Sequence, residues 1–172
     1  MSELQRMLQA NETFAEGFTA GNTPTPPARR VAIITCMDAR IHPEAALGLE
    51  IGDAHVIRNA GGRASDDAIR SLIISSRLLG TREFAVIHHT ECGMLTFSND
   101  DLRAKLAEEA GTDASGIDFL PFSDLEQSVR DDVHRILDTL HIDDGIEVSG
   151  HIYDVHTGRV RTVVPATSRA TA

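Results

Sequence analysis

The sequence predicts an α/β fold: a central, mainly parallel β-sheet flanked by helices, with an N-terminal helical arm and a C-terminal antiparallel hairpin. Three short apolar runs, at 31–35, 55–58 and 84–88, are each bounded by turn or polar residues, as strands buried on both faces are. A helix with both ends marked stands between the second run and the third, and strand–helix–strand is the signature of a parallel sheet. Near the end, stretches 146–154 and 160–164 flank the turn H-T-G at 156–158 and read as a hairpin.

Taken in order, residues 2–19 read as an amphipathic helix, with Leu4, Met7, Leu8, Ala15 and Phe18 on one face and Gly21 closing it. Residues 22–27 form a stiff linker rich in Thr and Pro. Such an arm, residues 1–27, can pack on a partner subunit or cap its own domain. In the central helix Ser65 is the N-cap, Asp66 and Asp67 complement the positive end of the dipole, and Gly80 ends it. Its Ile69, Leu72, Ile73, Ser76 and Leu79 make one buried stripe. Helices are expected at 100–110 and 123–140, the second with Leu125, Val129, Val133, Ile136 and Leu140 inward, and 111–121 is a loop. The whole chain, residues 1–172, is one domain's worth and holds no internal repeat.

Composition narrows the function classes. Hydrophobic residues make up 41% and charged residues 24%, which excludes a disordered tail, a collagen-like repeat or a coiled coil. A net charge of −10 argues against a nucleic-acid partner, because phosphates need clustered Lys and Arg. The apolar runs are too short to cross a membrane and the N-terminus lacks the apolar core of a secretion signal, so the expected compartment is cytoplasmic. Two cysteines are too few for a disulfide scaffold of this size. Function is therefore expected in polar site chemistry.

Cys36 follows the first strand and His89 the core of the third. In a parallel sheet both emerge at the carboxyl edge, where ligand sites form. His89 and Cys92 stand as H-x-x-C, so one turn can present both. Cys₂His suits Zn²⁺ and leaves a fourth position for water; two buried structural thiols are the other reading. The stretch C-M-D-A-R at 36–40 adds a carboxylate and a guanidinium. Alternate residues of an extended segment point the same way, so Cys36, Asp38 and Arg40 can share a face. A carboxylate beside the metal's water can accept its hydrogen, and a guanidinium keeps that carboxylate ionised. A plain surface ion pair at a helix start is the alternative.

C-M-D-A-R at 36–40, R-N-A-G at 58–61 and H-T-E-C-G at 89–93, in this order, resemble the β-class carbonic anhydrases, in particular the small bacterial members. The match lies in residues 31–95. The resemblance implies one Zn²⁺ per chain on Cys36, His89 and Cys92, with Asp38 and Arg40 as an orienting dyad, and Asp38 able to swing onto the zinc as a further ligand. It implies a zinc hydrolyase that interconverts CO₂ and bicarbonate through a zinc-bound hydroxide. It also implies a homodimer or homotetramer whose N-terminal helix reaches across to the partner. Gly61, Ile87, Gly93 and Met94 are the expected substrate-pocket residues, with Gly61-Gly62 as a tight turn near the metal.

The same apparatus could hydrolyse carbonyl sulfide to H₂S and CO₂, and a related branch hydrolyses carbon disulfide. A reading from another class is a closed Cys₂HisAsp zinc site that only stabilises a binding module. A redox pair, Cys36 with Cys92, is the fourth. His88 stands where many relatives have Gly, and alternation along the strand turns it to the face opposite His89, as a packed, hydrogen-bonded residue. The accessory Gln of plant-type members has no counterpart here, and the absence of Trp argues against the family's bicarbonate regulation. His42 reads as a solvated loop residue or a proton shuttle, and Glu50 and Asp53 as solvated loop charges. His134, His141, His151 and His156 have no partner motif.

Overall fold

The computed structural model describes residues 1–169. In chain order the elements are α1 (Glu3–Glu16), β1 (Val31–Cys36), α2 (Pro43–Leu47), β2 (Ala54–Asn59), α3 (Asp66–Leu79), β3 (Glu83–His89), α4 (Asn99–Ala110), α5 (Leu125–Leu137), β4 (Glu147–Tyr153) and β5 (Val160–Thr167). One five-stranded sheet has the order β2-β1-β3-β4-β5. Its first four strands run parallel and β5 pairs antiparallel with β4. The α/β class and the C-terminal hairpin are as the sequence predicts.

The core lies between one sheet face and helices α3 and α5. Ala32, Ile34, Phe84, Val86 and Val148 of the strands meet Ala68 and Leu72 of α3 and Val133 and Ile136 of α5. Leu72 is fully buried, so truncating it to Ala should cost about 2–5 kcal/mol. Gly150 lets α5 lie directly on β4, since a Cβ there would sit 2.5 Å from Val129 Cγ1. Helix α3 starts where Ser65 Oγ accepts the Ala68 N–H and ends at Gly80 in the left-handed conformation, φ +74°. The opposite sheet face carries Val31, Ile33, Ala85 and Ile87 around an apolar cavity of about 250 Å³, edged by Leu47, Leu49 and Val160.

Several local expectations are corrected. Helix α1 stops at Gly17, not Gly21, and none of its residues is buried. Helix α5 is shorter than 123–140: Asp124 caps the N–H of Gln127, Asp138 closes the last turn, and Leu140, expected inward, is 82% exposed. Strand β5 continues past 164 through Pro165, which is tolerated because an edge strand leaves one side of its backbone unpaired. Asp53 is not a solvated loop charge. Its carboxylate pairs with Arg29 at 2.9 Å and accepts the Glu50 N–H at 3.0 Å. Among the described residues no helix is long and apolar enough to cross a membrane.

Candidate functional site

Cys36 is the last residue of β1 and His89 the last of β3, one place earlier relative to the strand ends than the sequence suggests. Both sit at the carboxyl edge of the parallel sheet. Beyond His89 the chain turns through Glu91, whose φ of +56° brings Cys92 back beside the strand ends. The 58–63 segment braces this edge. Arg58 donates to the Cys36 carbonyl at 3.0 Å and to the Asp38 carbonyl at 2.8 Å. Asn59 bonds both the N–H and the carbonyl of Arg63 at 2.7 Å, closing a turn in which Gly61 and Gly62 have φ +81° and +67°. Only glycine fits at 62, because a Cβ there would lie 2.8 Å from Cys36 N.

The donor atoms of Cys36, His89 and Cys92 all lie within 4.8 Å of one another, and all three residues are buried. His89 Nδ1 faces the Thr90 carbonyl at 2.8 Å, so that nitrogen carries the proton and Nε2 presents a lone pair. Nε2 is buried and has no hydrogen-bond partner. An orphaned imidazole nitrogen aimed at two sulfurs fits a zinc-type ion, which takes such donors in tetrahedral array. The neighbouring Cys92 thiol, with the Asp38 and Gly61 backbone, outweighs burial and brings Cys36 down to about 4. Cys92 is pushed up by its closeness to Cys36 and by burial.

Asp38 lies outside this cluster, with Oδ2 3.8 Å from His89 Nε2. Its carboxylate is turned to Arg40: Oδ1 accepts the backbone N–H at 2.8 Å and Nε–H at 3.0 Å, and Oδ2 accepts Nη2–H at 2.8 Å. Those bonds hold the Asp38 carboxyl well below the usual carboxylate range. The pair forms through a turn at 39–40, not through the extended segment expected, because the strand ends at Cys36. Arg40 also donates to the Glu91 carbonyl at 3.2 Å and side chain at 3.3 Å, and Glu91 Oε1 lies 2.9 Å from His156 Nε2. Sequence reasoning passed over His156. It stands 65 residues from Glu91 and meets it because the turn between β4 and β5 folds back to this edge.

A cavity of about 380 Å³ opens over the cluster, lined beside the donors by Met37, Asp38, Gly61, Gly93, Met94, Thr96 and Phe97. Of the expected pocket residues, Gly61, Gly93 and Met94 line it. Ile87 does not: it lies within the sheet and borders the apolar cavity of the opposite face. His88 turns away from the cluster into the core, fully buried and hydrogen-bonded. His42 is exposed at the start of α2, near Glu44.

Fold and site together define an α/β protein whose Cys₂His cluster, of a kind that can hold a metal ion, stands at a sheet edge beside an ion-paired carboxylate. A family model described as carbonic anhydrase matches residues 31–114. Beta-carbonic anhydrase 1 of Mycobacterium tuberculosis is 42% identical over 160 residues, covering 92% of this chain and 96% of that protein. The crystal structure of a carbonic anhydrase from Streptococcus mutans is similar at a TM-score of 0.91 and 48% identity, covering 95% of this chain and 98% of that one. A carbon disulfide hydrolase of Saccharolobus solfataricus is 34% identical over 160 residues, covering 79% of this chain and 78% of that protein. The chain belongs to the β-carbonic anhydrase family.

Proposed function

We propose that this chain hydrates CO₂ to bicarbonate, reversibly, with one Zn²⁺ held by Cys36, His89 and Cys92. The observation that carries the reading is the buried, unpartnered His89 Nε2 facing both sulfurs, with an ionised carboxylate 3.8 Å away. Zinc held there would supply Lewis-acid chemistry, lowering the pKa of water, though less than at a three-histidine site because two thiolates neutralise the ion. Asp38, kept ionised by Arg40, can only accept hydrogen bonds. Oδ2 lies 3.8 Å from His89 Nε2, so it would be placed to accept the hydrogen of a nucleophile held at the cluster and to orient it toward the substrate. Moving Asp38 onto the metal as a further ligand would break its bonds to Arg40, and Glu91 offers that guanidinium a second carboxylate. Met37, Met94 and Phe97 give the cavity an apolar wall suited to a small uncharged molecule, and Gly93, where a Cβ would meet nothing within 4 Å, leaves the approach open.

The alternative substrate is a sulfur analogue, carbonyl sulfide, giving H₂S and CO₂ on the same residues. It is favoured by the likeness to a carbon disulfide hydrolase. The test is stopped-flow CO₂ hydration at alkaline pH on protein carrying one zinc per chain, with H₂S release from carbonyl sulfide measured in parallel. Fast hydration is expected. Negligible hydration with zinc in place and rapid H₂S release would move the assignment to the sulfur substrate, and neither activity would leave a structural zinc.

Self-association completes the proposal, as a homodimer or homotetramer. Helix α1 buries nothing on its own chain and exposes Leu4, Met7, Leu8 and Phe14, while the second sheet face holds an open apolar cavity. The arm reaching across to a partner would cover both kinds of surface. The two unpaired thiols suit a reducing, cytoplasmic compartment.

A further inference from the structure

We infer that Phe122 is a positioning residue that sets substrate preference: from behind the cavity it holds Met94 as a fixed wall over the Cys36–His89–Cys92 cluster, and that wall favours CO₂ over its bulkier sulfur analogues. This rests on the proposed hydration of CO₂ at that cluster.

Met94 is buried and lines the cavity over the donors. A methionine side chain is unbranched and flexible, so it takes the shape its surroundings allow. A wall made of methionine is therefore only as fixed as what stands behind it. A Cβ on Gly61 would lie 2.8 Å from Met94 Cγ and 3.4 Å from Phe122 Cε1, so both side chains converge on the Gly61 backbone. Phe122 packs on the apolar cluster to which Met94 belongs, and its backbone N–H donates to the Met94 carbonyl at 3.2 Å. The pair also divides two spaces. Phe122 lines a second cavity of about 440 Å³, Met94 lines the one over the donors, and Thr96 and Phe97 border both.

Phe122 has a rigid backing of its own. Its ring stacks on His88, with centroids 5.5 Å apart and planes at 17°, and the Arg63 guanidinium sits 5.4 Å from its centre. His88 is fully buried and paired through both ring nitrogens. Nδ1 meets Ser128 Oγ at 2.8 Å, and Nε2 lies 3.1 Å from both the Gly62 carbonyl and Asp132 Oδ2. Arg63 donates from Nε and Nη2 to the two Asp132 oxygens at 2.8 and 3.1 Å, and from Nη1 to the Leu120 carbonyl at 2.8 Å. Asn99 Oδ1 accepts the Phe119 N–H at 2.9 Å, which fixes the same loop from α4. A buried polar network with its members paired is rigid, so the ring behind Met94 stays where it is. Sulfur is larger than oxygen and its bond to carbon longer, so a wall that cannot yield disfavours carbonyl sulfide more than CO₂. Without the ring, Met94 can relax toward the second cavity and the first becomes wider.

The experiment uses the zinc-loaded full chain, Phe122→Ala, Met94→Ala and the double variant, with CO₂ hydration and H₂S release from carbonyl sulfide measured on each. The ratio of kcat/KM for carbonyl sulfide to that for CO₂ should rise roughly tenfold in each single variant, the scale on which small changes in an apolar pocket discriminate. The double variant should rise no further, because Phe122 acts through Met94. A second readout needs no turnover: the chain has four methionines, and with ¹³C-labelled methyl groups the Met94 signal is the one lost in Met94→Ala. It should sit at the shift of a single rotamer in the parent and move toward the averaged value in Phe122→Ala. An unchanged ratio in both single variants overturns the inference, and so does full additivity in the double variant. If Phe122→Ala fails to fold, Phe122→Leu takes its place: the smaller side chain still leaves a gap behind Met94, and an unmoved Met94 signal there overturns the inference. No hydration by the parent overturns the proposed function and this inference with it, whereas a fast parent with an unmoved ratio overturns this inference alone.

Discussion

Replacing Gly62 by Ala tests how tightly the turn is pressed against the metal-site strand. The residue has φ +67°, which costs a side-chain-bearing residue about 1–2 kcal/mol. The new Cβ would also meet three backbone atoms of β1: Cys36 N at 2.8 Å, Thr35 C at 2.9 Å and Thr35 Cα at 3.1 Å. Those atoms belong to a strand paired on both sides, so the turn must yield, by about 0.6 Å to take 2.8 Å to the 3.4 Å of ordinary contact. Overpacking of this kind costs typically about 1–3 kcal/mol. The expected total is about 2–5 kcal/mol. Gly80→Ala is the control, since φ is +74° there and a Cβ meets nothing within 4 Å, leaving only the conformational cost of about 1–2 kcal/mol. Urea unfolding at one fixed protein concentration measures both, and chelator competition measures zinc. Gly62→Ala should lose more stability than Gly80→Ala and bind zinc more weakly, because the displaced turn bears on the backbone that positions Cys36. Equal costs with unchanged zinc affinity would refute the reasoning.

Asp132→Asn leaves the Arg63 guanidinium, only 12% exposed, without its counter-charge and should cost about 3–5 kcal/mol by urea unfolding. Burial alone would raise the Asp132 pKa, but hydrogen bonds from His88 and Arg63 outweigh it and hold the carboxyl below its ordinary value. A folded pKa below the unfolded one of about 4 means that this stabilisation is complete above that pH and is lost as pH falls through the folded value. The urea midpoint should therefore drop on acidification, and less steeply in Asp132→Asn; parallel curves would count against the assignment. Asp38→Asn should lower CO₂ hydration roughly 10–100-fold with zinc content and urea midpoint unchanged, whereas loss of zinc would mark Asp38 as a structural ligand. Changing Leu4 and Leu8 together to Glu should shift sedimentation toward smaller species with the chain still folded, and an unchanged profile would remove α1 from the interface.

Short-range signals made much of the molecule legible. Ser65 and Gly80 bracket α3 because a cap and a left-handed glycine act within one turn of the chain. The alternation of a strand put His88 and His89 on opposite faces before any partner was known. Cys36, His89 and Cys92 were recognisable as one group because a parallel sheet gathers its strand ends at one edge. What spans long separations was not legible. His88 finds Gly62, Ser128 and Asp132 at 26, 40 and 44 residues' distance, and Glu91 finds His156 at 65. Ile87 stands on the same side of its strand as His89, yet it borders a different cavity because the strand ends and the chain turns between them and the site. Leu140 fits the helical stripe of α5, but the helix stops at Leu137 and leaves it in water. The sequence by itself determined the elements, their order and the donor set, since each depends on neighbours along the chain. Only the tertiary structure decided the braces behind the donors, because hydrogen bonds and close packing depend on distances in space that no local pattern encodes.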